Sequence, residues 1–305
     1  MGLVFYFGII LASFYLFKFQ KGDQMLYLIT ALSIILYVGV RDDIYNMSPW
    51  GKIILQGLAI FIILIPKDLV LDELHGFLGI YHLSEFMAYP LTFFIGIFMI
   101  NSFNLIDGID GLAGIMSIFM LTCFGILFYL LNDLLLVYLI AILIGTIGGY
   151  LRFNLSENRK IFMGDTGSLI LGFFMFFFLL QLINHKDLNN IEFFIQKDMS
   201  IWVGLLIFIH PILDSGSVFI SRLKNGKSPF SPDNKHIHHR LLPILRSHGL
   251  VTLVILGYTV FSILINFSII YFYPKLYNYS IPTYIFLSFF FIYCALRKLQ
   301  EKIPT

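Results

Sequence analysis

The sequence predicts an all-α polytopic membrane protein of about ten transmembrane helices, with an active site formed by its cytoplasmic loops. Three observations carry this. Only 12% of the 305 residues are charged and 58% are hydrophobic, with a mean hydropathy of +0.86, whereas a soluble domain carries about 25% charge. The apolar residues run on without interruption over roughly the 17–25 positions a helix needs to cross the hydrocarbon core. The runs do not alternate as barrel strands would, and lipid accepts only helices or closed barrels, because backbone amides find no water there.

In chain order the expected spans are roughly 2–17, 24–40, 51–66, 86–101, 112–131, 134–150, 164–182, 200–221, 250–271 and 281–297. The first is succeeded by further spans and no small-residue cleavage site, so it is not expected to be a removable leader. The second ends in "GVRDDIYNMSP", the fourth in "NSFNLIDGIDGLAG", and the seventh opens on "GDTGS". The Phe-rich run 173–178 is expected to face lipid or neighbouring helices. The longest loop, 222–248, has under thirty residues, too few for a soluble domain, so residues 1–305 read as one integral membrane domain. Cys123 and Cys294 both lie in apolar runs, which gives neither a disulfide framework nor a thiolate metal site.

Lysine and arginine set the orientation. Fourteen of the 20, among them Arg41, Lys52, Arg152, Lys160, Arg222 and Arg240, fall on one side, which should be cytoplasmic with both termini. Acids on the other side, such as Asp68, Asp72, Glu73 and Glu85, show no pattern and read as an ordinary wetted loop.

The patterned polar residues all fall on the inner side. Asp42 and Asp43 are adjacent carboxylates, a charged loop on the plain reading or a pair for a divalent cation or proton on the other. Asn101 and Asn104 stand one helical turn apart, where buried amides are costly without partners; amide oxygens can ligate a metal and amide nitrogens can bond a phosphate or a base. Gly108 and Gly111 permit a turn, and Asp110 is placed to cap the helix starting near Leu112. In "GDTGS", Asp165 is either a cap or part of a helix N-terminus whose N–H groups draw phosphate oxygens. Phe162 offers a face for a base to stack on. "KHIHHR" (235–240) sets three imidazoles between fixed cations, better suited to a phosphate or sugar-phosphate clamp than to zinc, which wants a tight ligand set.

Together these four stretches resemble one family, the polyprenyl-phosphate N-acetylhexosamine-1-phosphate transferases. That family carries an Asp-Asp loop, an N-x-x-N-x-x-D-G-x-D-G-L-A loop, an F-x-G-D-x-G-S loop and an H-x-H-H-R loop, and all four occur here in that order over about 200 residues. The resemblance implies transfer of a sugar-1-phosphate from a UDP-N-acetylhexosamine to undecaprenyl phosphate with release of UMP, the first membrane step of cell-surface polysaccharide synthesis in a bacterial cytoplasmic membrane. It implies a catalytic set of Asp42, Asp43, Asp165 and His238, with Asp42 as base or positioner of the lipid phosphate. Asn104 and Asp165 would hold Mg²⁺, with Mn²⁺ as the substitute ion. Asp107 and Asp110 would bind the nucleotide and Phe162 would stack near uracil. Asn101, Asn154, His236, His239 and Arg240 complete the substrate contacts. A homodimer is compatible with this reading, and no nucleic-acid partner is expected.

The acceptor is itself a phosphate monoester, mostly dianionic above its second pKa near 6. Phosphoryl transfer rests on positioning and charge neutralisation, so Asp42 is expected to act through electrostatics or orientation more than by removing a proton. The family usually begins with a further span and a basic loop ending in Pro-x-x-Gly-Gly. The first run here resembles the family's segment just after that loop, so the expectation includes a late start or an inactive truncated paralogue. A transporter is the other class weighed, but its polar groups should lie near the bilayer midplane. The CDP-alcohol phosphotransferase signature needs an arginine and later aspartates that "DGIDGLAG" lacks. An enzyme of the outer face would have to use Asp72 or Glu73, without a motif. Asp214, near His210-Pro211, is expected either to pair with Arg222 or to serve the site.

Overall fold

The computed structural model describes residues 22–188, 199–224, 236–273 and 279–288, with Tyr6, Gly8, Ile10, Gly226 and Phe291. The expected span 2–17 falls almost wholly outside the described residues, as do the end of span 281–297, Cys294, the segment "SPFSPD" (228–233) and Lys235.

The order is α1 (Gly22–Tyr45), α2 (Pro49–Leu64), a hairpin of β1 (Glu73–Phe77) and β2 (Ile80–His82), α3 (Glu85–Asn104), α4 (Leu112–Leu130), α5 (Leu134–Asn154), α6 (Gly164–Ile183), α7 (Ser200–Ile207), α8 (Ile209–Lys224), α9 (Ile237–Leu245) and α10 (His248–Phe272). Six helices among the described residues are long and apolar enough to cross a membrane, and a seventh span arises if α7 and α8 count as one. The protein is an all-α multi-pass membrane protein. With 16 residues, α2 falls short of those six, at about 1.5 Å per residue against a core of about 30 Å.

α6 is the central helix. Phe173, Phe174, Phe176, Phe177 and Phe178 are all buried, so the Phe-rich run packs against other helices and none of it faces lipid. A helix apolar on every side belongs at a bundle's centre, and α6 packs against both α1 and α3. A Cβ on Gly172 would come within 2.9 Å of the Ile100 backbone, and one on Gly39 would collide with the backbone of Thr166. Those two glycines let α3 and α1 lie directly on α6, and the second contact brings Asp42 and Asp43 to the "GDTGS" turn.

Three expectations are corrected. Span 200–221 is two helices, Ser200–Ile207 and Ile209–Leu223, bent by 72°. Pro211 has no N–H to give the Ile207 carbonyl, and its ring crowds that position, so the helix breaks there. The stretch 67–84 is not plain loop: β1 and β2 pair antiparallel, and Phe77 packs on Trp202 with ring centroids 4.4 Å apart. Loop 222–248 contains α9, which begins within the histidine motif with His236 at its N-cap.

Candidate active site

The helix ends carrying the four motifs converge at one end of the bundle. The N-terminus of α6 organises them. Three successive backbone N–H groups there point outward, as at any helix start. Asp107 accepts the one from Gly164. Asp43 accepts those of Asp165 at 2.8 Å and Thr166 at 3.1 Å, as well as the Thr166 hydroxyl. A carboxylate from α1 thus sits where the sequence suggested a phosphate, so these N–H groups are already committed. The helix dipole favours that charge.

Asp42, the preceding residue on α1, is buried. It accepts the Met47 N–H at 2.6 Å and forms an ion pair with Lys52. Lys52 also reaches Asp165 at 3.1 Å, so one ammonium spans two carboxylates from separate helices. Asn104 donates to Asp165 at 2.9 Å and to Ser168 at 2.8 Å. Asn101 turns elsewhere: its amide bonds Gln56 and the Ile97 carbonyl, each at 2.8 Å. The two asparagines stand one helical turn apart, yet only Asn104, expected to hold the metal, meets the acids, while Asn101, expected among the substrate contacts, fastens α3 to α2.

Burial pushes the Asp107 carboxyl up to about 7, with the nearby charges of Asp165, Asp110 and Asp43 adding to the rise against the Gly164 hydrogen bond. Asp110 does not cap α4. The N-cap position is Gly111, left-handed at φ 80°, and its N–H goes to Asn154 at 2.7 Å. Asp110 instead binds Lys160 at 2.6 Å and His248 at 2.7 Å. Burial alone would raise the Asp110 carboxyl, but these two hydrogen bonds and charges outweigh it and hold it below the usual carboxylate range. Asn154 also ties the Ile161 carbonyl at 2.9 Å, bracing the segment that displays Phe162, 71% exposed, with Lys160 lying 5.4 Å from its ring centroid.

The histidine motif closes the third side. Asp214 spends both oxygens on it, accepting from His236 Nδ1 at 3.0 Å and the Ile237 N–H at 2.7 Å, which places it with the motif. His238 packs on Gly108, its Nε2 filling the space a Cβ would occupy. His239 lies beside it, rings 4.2 Å apart, and Arg240 comes next on the first turn of α9, its N–H bonded to the His236 carbonyl. Burial, with the neighbouring histidines, drives the His238 imidazole down to about 3, so it stands neutral against the loop. Substituting Gly108 with alanine is expected to displace His238 and cut turnover about 10²-fold at unchanged folded yield, a direct comparison in purified protein.

Sequence reasoning missed Lys52, Ser168 and His248. Lys52 left a signal: a lysine at the opening of an apolar run is costly unless paired. His248 left none, because its partner is 138 residues away.

Among the described residues no three His, Cys, Asp or Glu side chains form a metal-ligating group. The donor chemistry still fits a hard cation. Asp42, Asp165 and Asn104 supply oxygen donors in one network, and the Lys52 ammonium shows that a positive charge is welcome between the carboxylates. The amide nitrogen of Asn104 faces Asp165, so its oxygen would turn inward through a flip of the kind that hydrogen-bond networks decide.

Residues 25–183 match the model of glycosyl transferase family 4. The chain belongs to glycosyl transferase family 4. The matched stretch holds Asp42, Asp43, Asn104, Asp107, Asp110 and Asp165, whereas the histidine motif of this family 4 member lies beyond it. It is 34% identical over 73% of its length to a probable undecaprenyl-phosphate N-acetylglucosaminyl 1-phosphate transferase of Bacillus subtilis. Undecaprenyl-phosphate alpha-N-acetylglucosaminyl 1-phosphate transferases of Yersinia pestis and Escherichia coli O157:H7 are 33% and 29% identical over 71% and 79% of it. The family 4 chain spans 59%, 58% and 62% of the lengths of these three relatives.

Proposed function

We propose that this protein transfers N-acetylhexosamine-1-phosphate, foremost N-acetylglucosamine-1-phosphate, from a UDP-sugar to undecaprenyl phosphate, with release of UMP. The site faces the cytoplasm of a bacterial inner membrane, and the product starts a cell-surface polysaccharide. The observation carrying this is the gathering of the Asp42 and Asp43 carboxylates of α1, the Asp165 carboxylate of α6 and the Asn104 amide of α3 beside Lys52 at one end of the bundle, where a soluble nucleotide and a lipid headgroup can meet.

An oxygen of the acceptor phosphate forms a bond to the β-phosphorus of the donor as the bond to UMP breaks. Both reactants are anions, so the chain must lower the charge between them. Lys52 and Lys160 supply fixed cations. Phe162 offers the base a ring, Asp107 and Asp110 line the nucleotide side, and the neutral His238 holds the loop. Asn104 and Asp165 would hold Mg²⁺, which neutralises phosphate charge when bound. With Met47 and Lys52 already on its oxygens, Asp42 suits orientation better than proton removal. Asp42→Asn is therefore expected to lower turnover by a factor that stays constant from pH 6 to pH 9; recovery at pH 9 would assign it a proton.

Asp107 gives a second expectation. Its folded-state value near 7 lies above the ordinary aspartate value of about 4, so the folded protein binds more protons than the unfolded chain between them. Stability should fall as pH rises from about 4 to about 7 and then level off. Mg²⁺ near this carboxylate should offset the fall and bind more tightly at pH 8 than at pH 6, read by thermal unfolding with and without the ion.

The defining test is product stoichiometry. With UDP-N-acetylglucosamine, polyprenyl phosphate and Mg²⁺, one lipid-linked sugar pyrophosphate should form per UMP released. UMP release independent of the lipid would remove the proposal. The break between α7 and α8 suits a transporter, but the carboxylates collect at the helix ends.

A further inference from the structure

His248 opens α10 shortly after the histidine motif and 138 residues from Asp110, yet it meets that second carboxylate of the "DGIDG" loop. Its Nδ1 lies 2.7 Å from Asp110 Oδ2 and 3.3 Å from the Asp110 backbone nitrogen. One ring nitrogen cannot donate to the carboxylate and accept from the amide together. The shorter, charge-assisted contact decides the tautomer: Nδ1 carries the proton and donates it to Oδ2. Lys160 takes the same oxygen at 2.6 Å. Both contacts thus fall on Oδ2, and the same Lys160 ammonium lies 5.4 Å from the Phe162 ring centroid. Ser247 caps α10 through the Leu250 N–H at 3.4 Å, which fixes where His248 stands, and the positive end of that helix suits an anionic neighbour.

We propose that His248 is a positioning residue of the donor site: through Nδ1 it locks Asp110 in one rotamer and ties α10 to the loop that receives the nucleotide. This rests on the proposed UDP-sugar donor site. The contact is a single hydrogen bond from one defined ring atom, so the side chains that replace it are predictable. The amide nitrogen of asparagine falls close to the position of Nδ1, whereas glutamine places its nitrogen nearer that of Nε2.

The experiment uses the full chain purified in detergent. UDP-N-acetylglucosamine binding is measured by titration calorimetry, and the donor KM, acceptor KM and kcat are measured alongside. His248→Ala should weaken donor binding and raise donor KM by about tenfold, the loss set by one hydrogen bond to a charged group. The acceptor KM and kcat should stay within about twofold, the scatter of such single contacts. His248→Asn should restore donor binding, and His248→Gln should not. Equal donor binding by wild type and His248→Ala overturns the role of His248 while leaving the donor site intact. Equal changes in both KM values, with no rescue by asparagine, assign His248 to packing and overturn the role as well. If the wild type binds no UDP-sugar, the donor-site reading itself fails and this inference falls with it.

Discussion

Replacing Lys52 with methionine is expected to damage this protein more than any other change of one charge. Methionine keeps the length and apolar stem of the side chain but leaves the buried Asp42 and the half-buried Asp165 facing each other without the ammonium between them. Breaking a fully buried pair by removing one partner costs about 3–5 kcal/mol, and the partial exposure of Lys52 and Asp165 brings the expected loss below that range. Turnover should fall about 10²–10³-fold, because the same ammonium offsets phosphate charge. Lys52→Arg keeps the charge but spreads it over a planar fork, and should restore stability further than it restores rate. Thermal unfolding beside turnover reads all of this; a Lys52→Met protein as stable and active as wild type would show that the network contributes nothing.

Gly39→Val tests the backbone that carries the site. A Cβ at position 39 meets the Thr166 backbone, which cannot swing aside as a side chain would. α1 must move off α6, at a cost of about 1–3 kcal/mol for overpacking. The greater effect is on geometry: Asp43 is drawn away from the N–H groups of Asp165 and Thr166, and Asp42 from its neighbours. A shift of about 1 Å is enough for a 10²-fold loss in rate. Gly145→Ala is the control, because among the described residues nothing beyond its own stretch of helix lies within 4 Å of its added Cβ, and it should behave as wild type. The comparison is turnover per folded molecule, with folded protein measured by size-exclusion chromatography.

The fold class was legible because a bilayer leaves little choice: uninterrupted apolar runs can only be helices. What sequence could not carry was the fate of individual backbone groups. Pro211 announces a broken helix only once the run around it is known to cross the bundle. The helical character of 237–245 was hidden because its apolar residues lie among histidines. In the candidate site, motif spacing placed Asp43, Asn104, Asp107, Asp165 and Phe162 at the same end of the bundle. The division of labour stayed out of reach. Asn101 and Asn104 look equivalent in sequence, and only packing against Gln56 or Asp165 tells them apart. Asp110 looks like a cap, and only the arrival of α10 gives it to His248. Such pairings join residues far apart in the chain, where neither helical period nor turn chemistry constrains a partner.

The central claim is that the carboxylates meeting at the start of α6 perform the transfer. Exchange of labelled UMP into UDP-N-acetylglucosamine isolates that step, since it runs the reaction backwards from the lipid-linked product. Wild-type protein supplied with that product and Mg²⁺ should catalyse the exchange, and Asp165→Asn, folded and membrane-inserted, should lose it about 10³-fold. Exchange by Asp165→Asn at the wild-type rate would contradict the account, because the group that links Lys52, Asn104 and α6 would then have no part in the chemistry.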